Sequence, residues 1–183
     1  MNLKDQQALL KLARESIITY FSKEYPYTGK VEHISDLLGV FVTLYKNKEL
    51  RGCIGYPTAT FPLYKGVVEA ARAAAFQDPR FPQLQKSELG QVNIEISVLT
   101  KPVLMEVKKP EDYFKSIEIG KDGLMLRGPE GAGLLLPQVA TEHNFAPIAF
   151  LRCLSQKASL EQEAWTKPEN HIFKFQAIIF SEK

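Results

Sequence analysis

The chain has 183 residues, and its 23 basic and 21 acidic side chains give a formal net charge of +2. This length suits one sizeable core or two small lobes that share one. No basic run indicates nucleic acid as a partner, and no apolar run approaches the roughly 20 residues that cross a bilayer. Residues 1–7 lack the basic and then apolar pattern of a secretory signal, which predicts a cytoplasmic protein. Cys53 and Cys153 are then expected to be reduced.

The first half of the chain predicts a helix, a hairpin and a second helix. Apolar residues at helical spacing predict a helix over 3–22, with its end near Tyr25-Pro26, because the residue before a proline is biased out of the helical region. Residues 39–46 are rich in β-branched and aromatic types and predict a strand; after a polar turn at 46–49 the chain returns over 49–56 as a second strand, which predicts a hairpin. Pro62 opens an alanine-rich helix over 62–76, whose small side chains allow a close approach to a sheet.

The second half predicts mostly strands. Residues 91–101 alternate apolar and polar types, as a half-buried strand does. A short helix near 111–115 is followed by strands at 117–119, 124–127 and 133–136, helices at 137–143 and 147–157, and a closing strand at 171–181. Asn144 is a residue type that ends helices. The fold class expected from these elements is α+β.

A hairpin, a proline and a helix follow one another twice, at 40–76 and 118–157, and Leu-Arg-Gly occurs in both halves, at 50–52 and 126–128. An ancient duplication and a coincidence both explain this weak self-similarity.

The most informative segment is Leu50-Arg51-Gly52-Cys53-Ile54-Gly55. Glycine weakens a strand, so Gly52 and Gly55 beside a cysteine indicate that something needs close access to the backbone or the sulfur. Strand alternation places Arg51 and Cys53 on one face. An arginine beside a cysteine favours the thiolate.

The strand over 91–101 has its own polar face, made by Asn93, Glu95 and Ser97. If this strand and the cysteine strand lie in one sheet, these residues join Arg51 and Cys53 on one surface. The hypothesis is that Cys53 is the reactive group and Glu95 a base or orienting residue. The alternative is a structural cross-strand ion pair of Arg51 with Glu95, and Cys53 as a small buried filler.

The loop Asp78-Pro79-Arg80-Phe81-Pro82 is the second candidate site. Its prolines stiffen it, so that Asp78 and Arg80 are presented at low entropic cost. The alternative is a plain helix-to-strand connection with Phe81 inserted into the core.

No metal or cofactor site is predicted. His33, His143 and His171 are far apart, and no Cys-x-x-Cys or His-x-x-x-His spacing exists. The glycines over 128–133 surround an acidic residue and predict a turn instead of a phosphate-binding loop.

Four segments resemble a known family, and the resemblance spans nearly the whole chain in order. They are residues 50–55, Ala74-Ala75-Phe76-Gln77-Asp78-Pro79-Arg80-Phe81-Pro82, Ile94-Glu95-Ile96-Ser97-Val98-Leu99 and Gly133-Leu134-Leu135-Leu136-Pro137-Gln138-Val139-Ala140. The family is the domain named after the Alport-syndrome, midface-hypoplasia and elliptocytosis chromosomal region, called AmmeMemoRadiSam system protein A in its prokaryotic form. Three positions depart from its usual residues: Phe145 replaces tryptophan, Ser155 cysteine and Ser159 glycine.

The resemblance implies one domain over 1–183 with two unequal lobes, a mostly antiparallel sheet flanked by helices, and a cleft between the lobes. It implies no established biochemical activity. The prokaryotic genes often lie beside those of a Memo-like protein, which resembles ring-opening dioxygenases, and of a radical-SAM protein. This favours an accessory or partner protein of their pathway. The alternative is a small enzyme that uses Cys53 as a reactive thiol in the cleft.

Overall fold

Helices and antiparallel strands make up the computed structural model, which describes residues 1–22 and 31–182. The chain divides into two units: unit 1 comprises Met1–Leu99 and Ile178–Lys183, and unit 2 comprises Thr100–Ala177. Among the described residues, five pairs of neighbouring strands have a defined register, and all five are antiparallel, which together with the helices confirms the α+β class. The cleft expected from the resemblance stays a prediction.

Unit 1 contains every element predicted for the first half of the chain, together with the alternating strand predicted at 91–101. These are α1 (Leu3–Ser22), β1 (Val40–Lys46), β2 (Glu49–Tyr56), α2 (Leu63–Phe76) and β3 (Val92–Leu99). Tyr25 and Pro26, near which the sequence predicts the end of the first helix, lie outside the described residues.

The core of unit 1 lies on one face of three strands, with β1 between β2 and β3. Val42 of β1 is fully buried beside Ile96 of β3, while α1 and α2 supply the rest of this core. The alanines of α2 bring its backbone close to β2. A Cβ on Gly52 would lie 2.1 Å from the Ala74 carbonyl oxygen, so only glycine permits this approach.

An irregularity interrupts β2 at Arg51. Gly52 lies opposite Leu44 and Leu50 lies opposite Tyr45, so Arg51 is an extra residue with no partner on β1. Such a β-bulge bends the strand and re-aims a side chain.

Unit 2 contains a second hairpin with its own helices. The elements are β4 (Val103–Leu104), α3 (Tyr113–Ser116), β5 (Asp122–Arg127), β6 (Ala132–Leu135), α4 (Pro137–Glu142), α5 (Pro147–Lys157) and β7 (His171–Ser181). β5 lies between β6 and β7, and β4 pairs with β7, whose last residues, from Ile178 onward, belong to unit 1. Phe150 and Leu154 of α5 are fully buried in this second core.

The strand predicted at 117–119 is wrong. Ile117 ends α3, and the chain then turns toward β5. The turn is held by the Asp122 carboxylate, which accepts a hydrogen bond from the Glu118 N–H at 2.9 Å. By contrast, the prediction that Asn144 ends a helix is confirmed, since it follows α4 with a left-handed φ of 51°.

None of the helices in the described ranges is both long and apolar enough to span a membrane.

Candidate functional site

Cys53 and Glu95 lie in one row across the outer face of the unit 1 strands. Thr43 of β1 stands between them, opposite Cys53 on one side and Glu95 on the other. The two predicted site residues therefore share a sheet and a face. They are two strand spacings apart, about 10 Å along the sheet.

The backbone of Cys53 is held from the open edge of β2 by Asp78 and Arg80. The Cys53 N–H donates to Asp78 Oδ2 at 2.8 Å, and Arg80 Nη2 donates to the Cys53 carbonyl at 3.0 Å. Arg80 also donates its backbone N–H and its Nε to Asp78 Oδ1. The loop thus satisfies the free N–H and C=O of an edge strand, which would otherwise invite pairing with another chain.

The Cys53 sulfur has a hydrogen-bond donor beside it on β1. The Thr43 hydroxyl, on a side chain that is largely buried, donates to Sγ at 3.2 Å. Arg80 interacts with the same side chain: its pKa is raised mainly by its hydrogen bond to Asp78, with a further contribution from Cys53. Cys53 itself is half-buried, so solvent reaches this region.

Asp78 is a buried carboxylate whose side chain is only 2% exposed. Hydrogen bonds from the Arg80 side chain, and from the Cys53 and Arg80 backbone, outweigh the cost of burial and hold the pKa of Asp78 well below its usual range. The ionised form is therefore built into the fold. Arg80, by contrast, keeps 53% of its side chain exposed and lies over the Phe81 ring at 5.5 Å. Phe81 is half-buried and outside the core cluster, so the insertion into the core considered for it is wrong.

Arg51 has a different partner from the two that the sequence suggested. Its guanidinium binds both carboxylate oxygens of Glu88, at 3.2 and 3.0 Å, and also donates to the Pro82 carbonyl at 2.9 Å. Lys46 binds Glu88 as well, at 2.9 Å. The hydrogen bond from Arg51, followed by those from the Gln85 N–H and Lys46, lowers the pKa of Glu88 from 4.5 to about 2 despite burial.

The remaining predicted binding residues have structural contacts. The Asn93 amide donates to the Glu182 carbonyl at 3.3 Å, and Ser97 is buried on the outer face. Gly52 makes room for the Ala74 carbonyl, and a Cβ on Gly55 would lie 2.4 Å from the Phe41 ring. Each glycine therefore has a packing reason inside the protein.

Three contributors to this region escaped the sequence reasoning. Thr43 sits on the outer face of β1, and alternation alone places it opposite Cys53 once the order of the strands is known. Glu88 lies in a polar stretch that carries no motif. Glu182, which binds Arg14 of α1 and the N–H of Ile94, acts from the far end of the chain, and only the folded topology reveals it.

Neither a metal cluster nor a disulfide marks the site. Within residues 1–22 and 31–182, no group of three or more His, Cys, Asp or Glu side chains could hold a metal ion. Cys53 and Cys153 are both free thiols.

Comparisons with known proteins identify the family to which the chain is similar. The AMMECR1 family model matches residues 10–180. Protein MK0488 of Methanopyrus kandleri is 40% identical over 188 residues, covering 100% of this chain and 91% of that protein. A protein of Methanothermobacter thermautotrophicus is 47% identical over 144 residues, 79% of this chain and 75% of its own length. The crystal structure of the uncharacterised protein PH0010 of Pyrococcus horikoshii superposes with a TM-score of 0.91 at 35% identity, covering 100% of this chain and 94% of the other.

Proposed function

The chain belongs to the AMMECR1 family, and we propose that it is a thiol-dependent enzyme or enzyme subunit whose reactive group is the Cys53 sulfur. One observation carries this: a half-buried sulfur accepts a hydrogen bond from Thr43, while Asp78 and Arg80 hold the Cys53 backbone. A nucleophile fixed in this way needs little reorganisation before it reacts.

The Cys53 sulfur accepts a hydrogen bond from Thr43, and the Arg80 guanidinium binds the Cys53 carbonyl. Groups of both kinds accompany reactive cysteines. Asp78 pairs with Arg80 and neutralises part of its charge. The hydrogen bond from Thr43 is therefore the more specific of the two contacts to Cys53. Arg51 contributes less than the sequence suggests, because Glu88 and Pro82 already bind its guanidinium.

The chemistry proposed is substitution by sulfur. The Cys53 thiol loses its proton to solvent, its sulfur forms a bond to an electrophilic carbon of the substrate, and the leaving group departs with the electron pair of the broken bond. Thr43 lies between Cys53 and Glu95 on the sheet. In this proposal Glu95 therefore acts as a base on a bound substrate or through a bridging water.

Site-resolved alkylation with iodoacetamide tests the proposal, and Cys153 serves as the internal control because it is also a free, half-buried thiol. We expect Cys53 to react about tenfold faster than Cys153 in the folded protein. Thr43→Val should remove much of this advantage and Thr43→Ser, which keeps the hydroxyl, should preserve it. Equal rates at the two cysteines, or a Cys53 rate that Thr43→Val does not change, would contradict the proposal.

The accessory role beside a Memo-like and a radical-SAM protein is a second candidate, favoured by the exposed side chain of Arg80. Co-purification distinguishes the two. If the Cys53→Ala protein keeps the full pathway function while the Arg80→Ala protein no longer binds a partner, the accessory role is supported and the enzyme proposal is contradicted. Arg152→Ala is the matched control, since Arg152 belongs to unit 2 and is a similarly exposed arginine that pairs with a carboxylate, Glu163.

A further inference from the structure

A second candidate site lies in unit 2. Two segments, one around Leu104–Pro110 and one around Trp165–His171, enclose a cavity of about 400 Å³ together with Tyr113 of the short helix α3. Cavities of this size hold small organic molecules. The walls combine aromatic and aliphatic side chains with several basic ones.

Two nearly buried aromatic residues with polar ends line this cavity. Trp165 is 4% exposed, and its indole N–H is buried with no hydrogen-bond partner among the described residues. Tyr113 is 8% exposed and packs edge-on against the Trp165 ring, with centroids 6.3 Å apart. Burial is the cause that raises the pKa of Tyr113, and its hydroxyl makes no hydrogen bond to any described group. Because the buried Trp165 N–H lacks an acceptor, an acceptor brought by a ligand would be bound favourably there.

The charge at the cavity is positive. Lys108, Lys109 and Lys167 line it, against the single carboxylate of Glu106. Lys167 is engaged by Glu161. In the part of the chain that the structure describes, Lys108 and Lys109 have no ion-pair partner, and both are exposed. Their ammonium groups are therefore available to an anion at the mouth of the cavity.

We propose that unit 2 has a ligand site of its own, which takes a small molecule with a flat apolar body and one oxyanion group. The body lies against the rings of Trp165 and Tyr113, and the oxyanion accepts hydrogen bonds from their polar ends and binds Lys108 and Lys109. This site is separate from Cys53 in residues and in chemistry, and it stands whether or not the thiol is reactive.

Trp165 is the one tryptophan of the chain, so its fluorescence reports on this cavity directly. Phenyl phosphate and benzoate are the probes, one for each kind of oxyanion, and inorganic phosphate and phenol test each half of the ligand alone. We expect a saturable change in Trp165 emission with at least one of the two aromatic anions at millimolar concentration. Phosphate and phenol should bind about tenfold more weakly than that anion.

Variants tie the binding to the cavity. Lys109→Gln should weaken the aromatic anion about tenfold, whereas Lys115→Gln, at an exposed lysine that does not line the cavity, should leave it unchanged. Tyr113→Phe should weaken binding several-fold without lowering the melting temperature, because the hydroxyl has no partner inside the protein.

Either of two results would overturn the proposal. One is the absence of a saturable change in Trp165 emission with both aromatic anions. The other is binding that Lys109→Gln and Lys115→Gln weaken equally, which would indicate nonspecific attraction to surface lysines.

Discussion

The two hairpins of the protein carry the same tripeptide and use it differently. In β2, Leu50 is 41% exposed and Arg51 is bound by the partly buried carboxylate of Glu88. In β5, Leu126 is fully buried and Arg127 is exposed, with its guanidinium 5.7 Å from the Phe173 ring. The bulge at Arg51 accounts for this difference, because it turns the Arg51 side chain away from the direction that regular strand alternation would give it.

The tripeptides also occupy different places in their hairpins. In unit 1 the tripeptide lies on the second strand, β2, whereas in unit 2 it begins at the end of the first strand, β5. The shared Leu-Arg-Gly therefore does not occupy equivalent positions in the two hairpins. It does not support a duplication. The common order of hairpin, proline and helix is what the two halves do share.

The hairpins differ most at their outer strands. Charged side chains satisfy the outer edge of β2, since Asp78 and Arg80 bind the backbone of Cys53. In unit 2, β6 packs directly on the end of α5, where a Cβ on Gly133 would lie 2.7 Å from the Ala158 nitrogen. Charged side chains thus hold the outer strand in unit 1, and close backbone packing takes their place in unit 2.

The largest expected effect compares the buried carboxylates of the two units. Asp78→Ala removes the charged acceptor of the Cys53 and Arg80 backbone N–H groups, so we expect the free energy of unfolding to fall by about 4 kcal/mol, although the Arg80 side chain itself stays in contact with solvent. Asp122→Ala should cost about half of that, because the Glu118 N–H donates to its carboxylate at 2.9 Å while Lys174 and Gln176 lie farther away, at 3.5 and 3.4 Å. Urea denaturation followed by circular dichroism measures both, and equal losses would contradict the comparison.

The pH dependence of stability tests how much Glu88, the carboxylate that binds Arg51, contributes to the folded state. The folded pKa of Glu88 is about 2 against an ordinary 4.5, so the stability it contributes is present above about pH 4.5 and is lost as the pH falls toward 2. The full contribution is roughly 3 kcal/mol. Glu88→Gln should lower stability at neutral pH and flatten the acid limb of the curve.

Glu118→Gln is the control for this titration, because its ion pair with Lys121 is exposed on both sides. An acid limb that is equally steep in wild type and Glu88→Gln would show that Glu88 is not linked to folding.

A smaller effect is expected from replacing Gly52, which lets α2 pack closely against β2. Gly52→Ala should destabilise the protein by about 2 kcal/mol, because the new Cβ would overlap a backbone carbonyl that cannot move alone. Gly90→Ala meets no atom within 4 Å and should be close to neutral. If Gly52→Ala shifts the urea midpoint no more than Gly90→Ala, the close approach of α2 to β2 is not a requirement of the fold.

The smallest effect is expected in unit 2 at Ser159, which has a left-handed φ of 62°. The family resemblance gives glycine as the usual residue here, and glycine adopts this conformation without strain. Ser159→Gly should therefore raise the free energy of unfolding by about 0.5 kcal/mol. A lower melting temperature for this variant would show that the serine side chain contributes more than its backbone strain costs.

Periodicity predicted most of the fold because the strands and helices obey simple patterns of burial. The fully buried Ile94 and Ile96, for example, alternate in β3 as the sequence indicated. The strand at 117–119 failed because two apolar residues there belong to a helix end and a turn, and the Asp122 carboxylate that shapes the turn carries no local signal.

The site was only partly predictable. Alternation correctly places Cys53 and Glu95 on one face, but it cannot show that β1 lies between their strands. Nor can it reveal that Arg51 sits in a bulge and turns to Glu88, since that contact joins residues 37 apart in the sequence. The loop with Asp78 and Arg80 was recognised as a candidate, yet its attachment to Cys53 depends on the tertiary fold.

The central claim is that the fold makes Cys53 a better nucleophile than an ordinary thiol. The most direct test is the rate at which iodoacetamide alkylates Cys53 in a Cys153→Ser protein, measured at neutral pH in the folded state and again in urea. The unfolded chain supplies the same cysteine without Thr43, Asp78 or Arg80 beside it. The account predicts a faster reaction in the folded protein, even though the thiol is half-buried there. An equal or slower rate in the folded protein would contradict it and leave Cys53 as a packing residue.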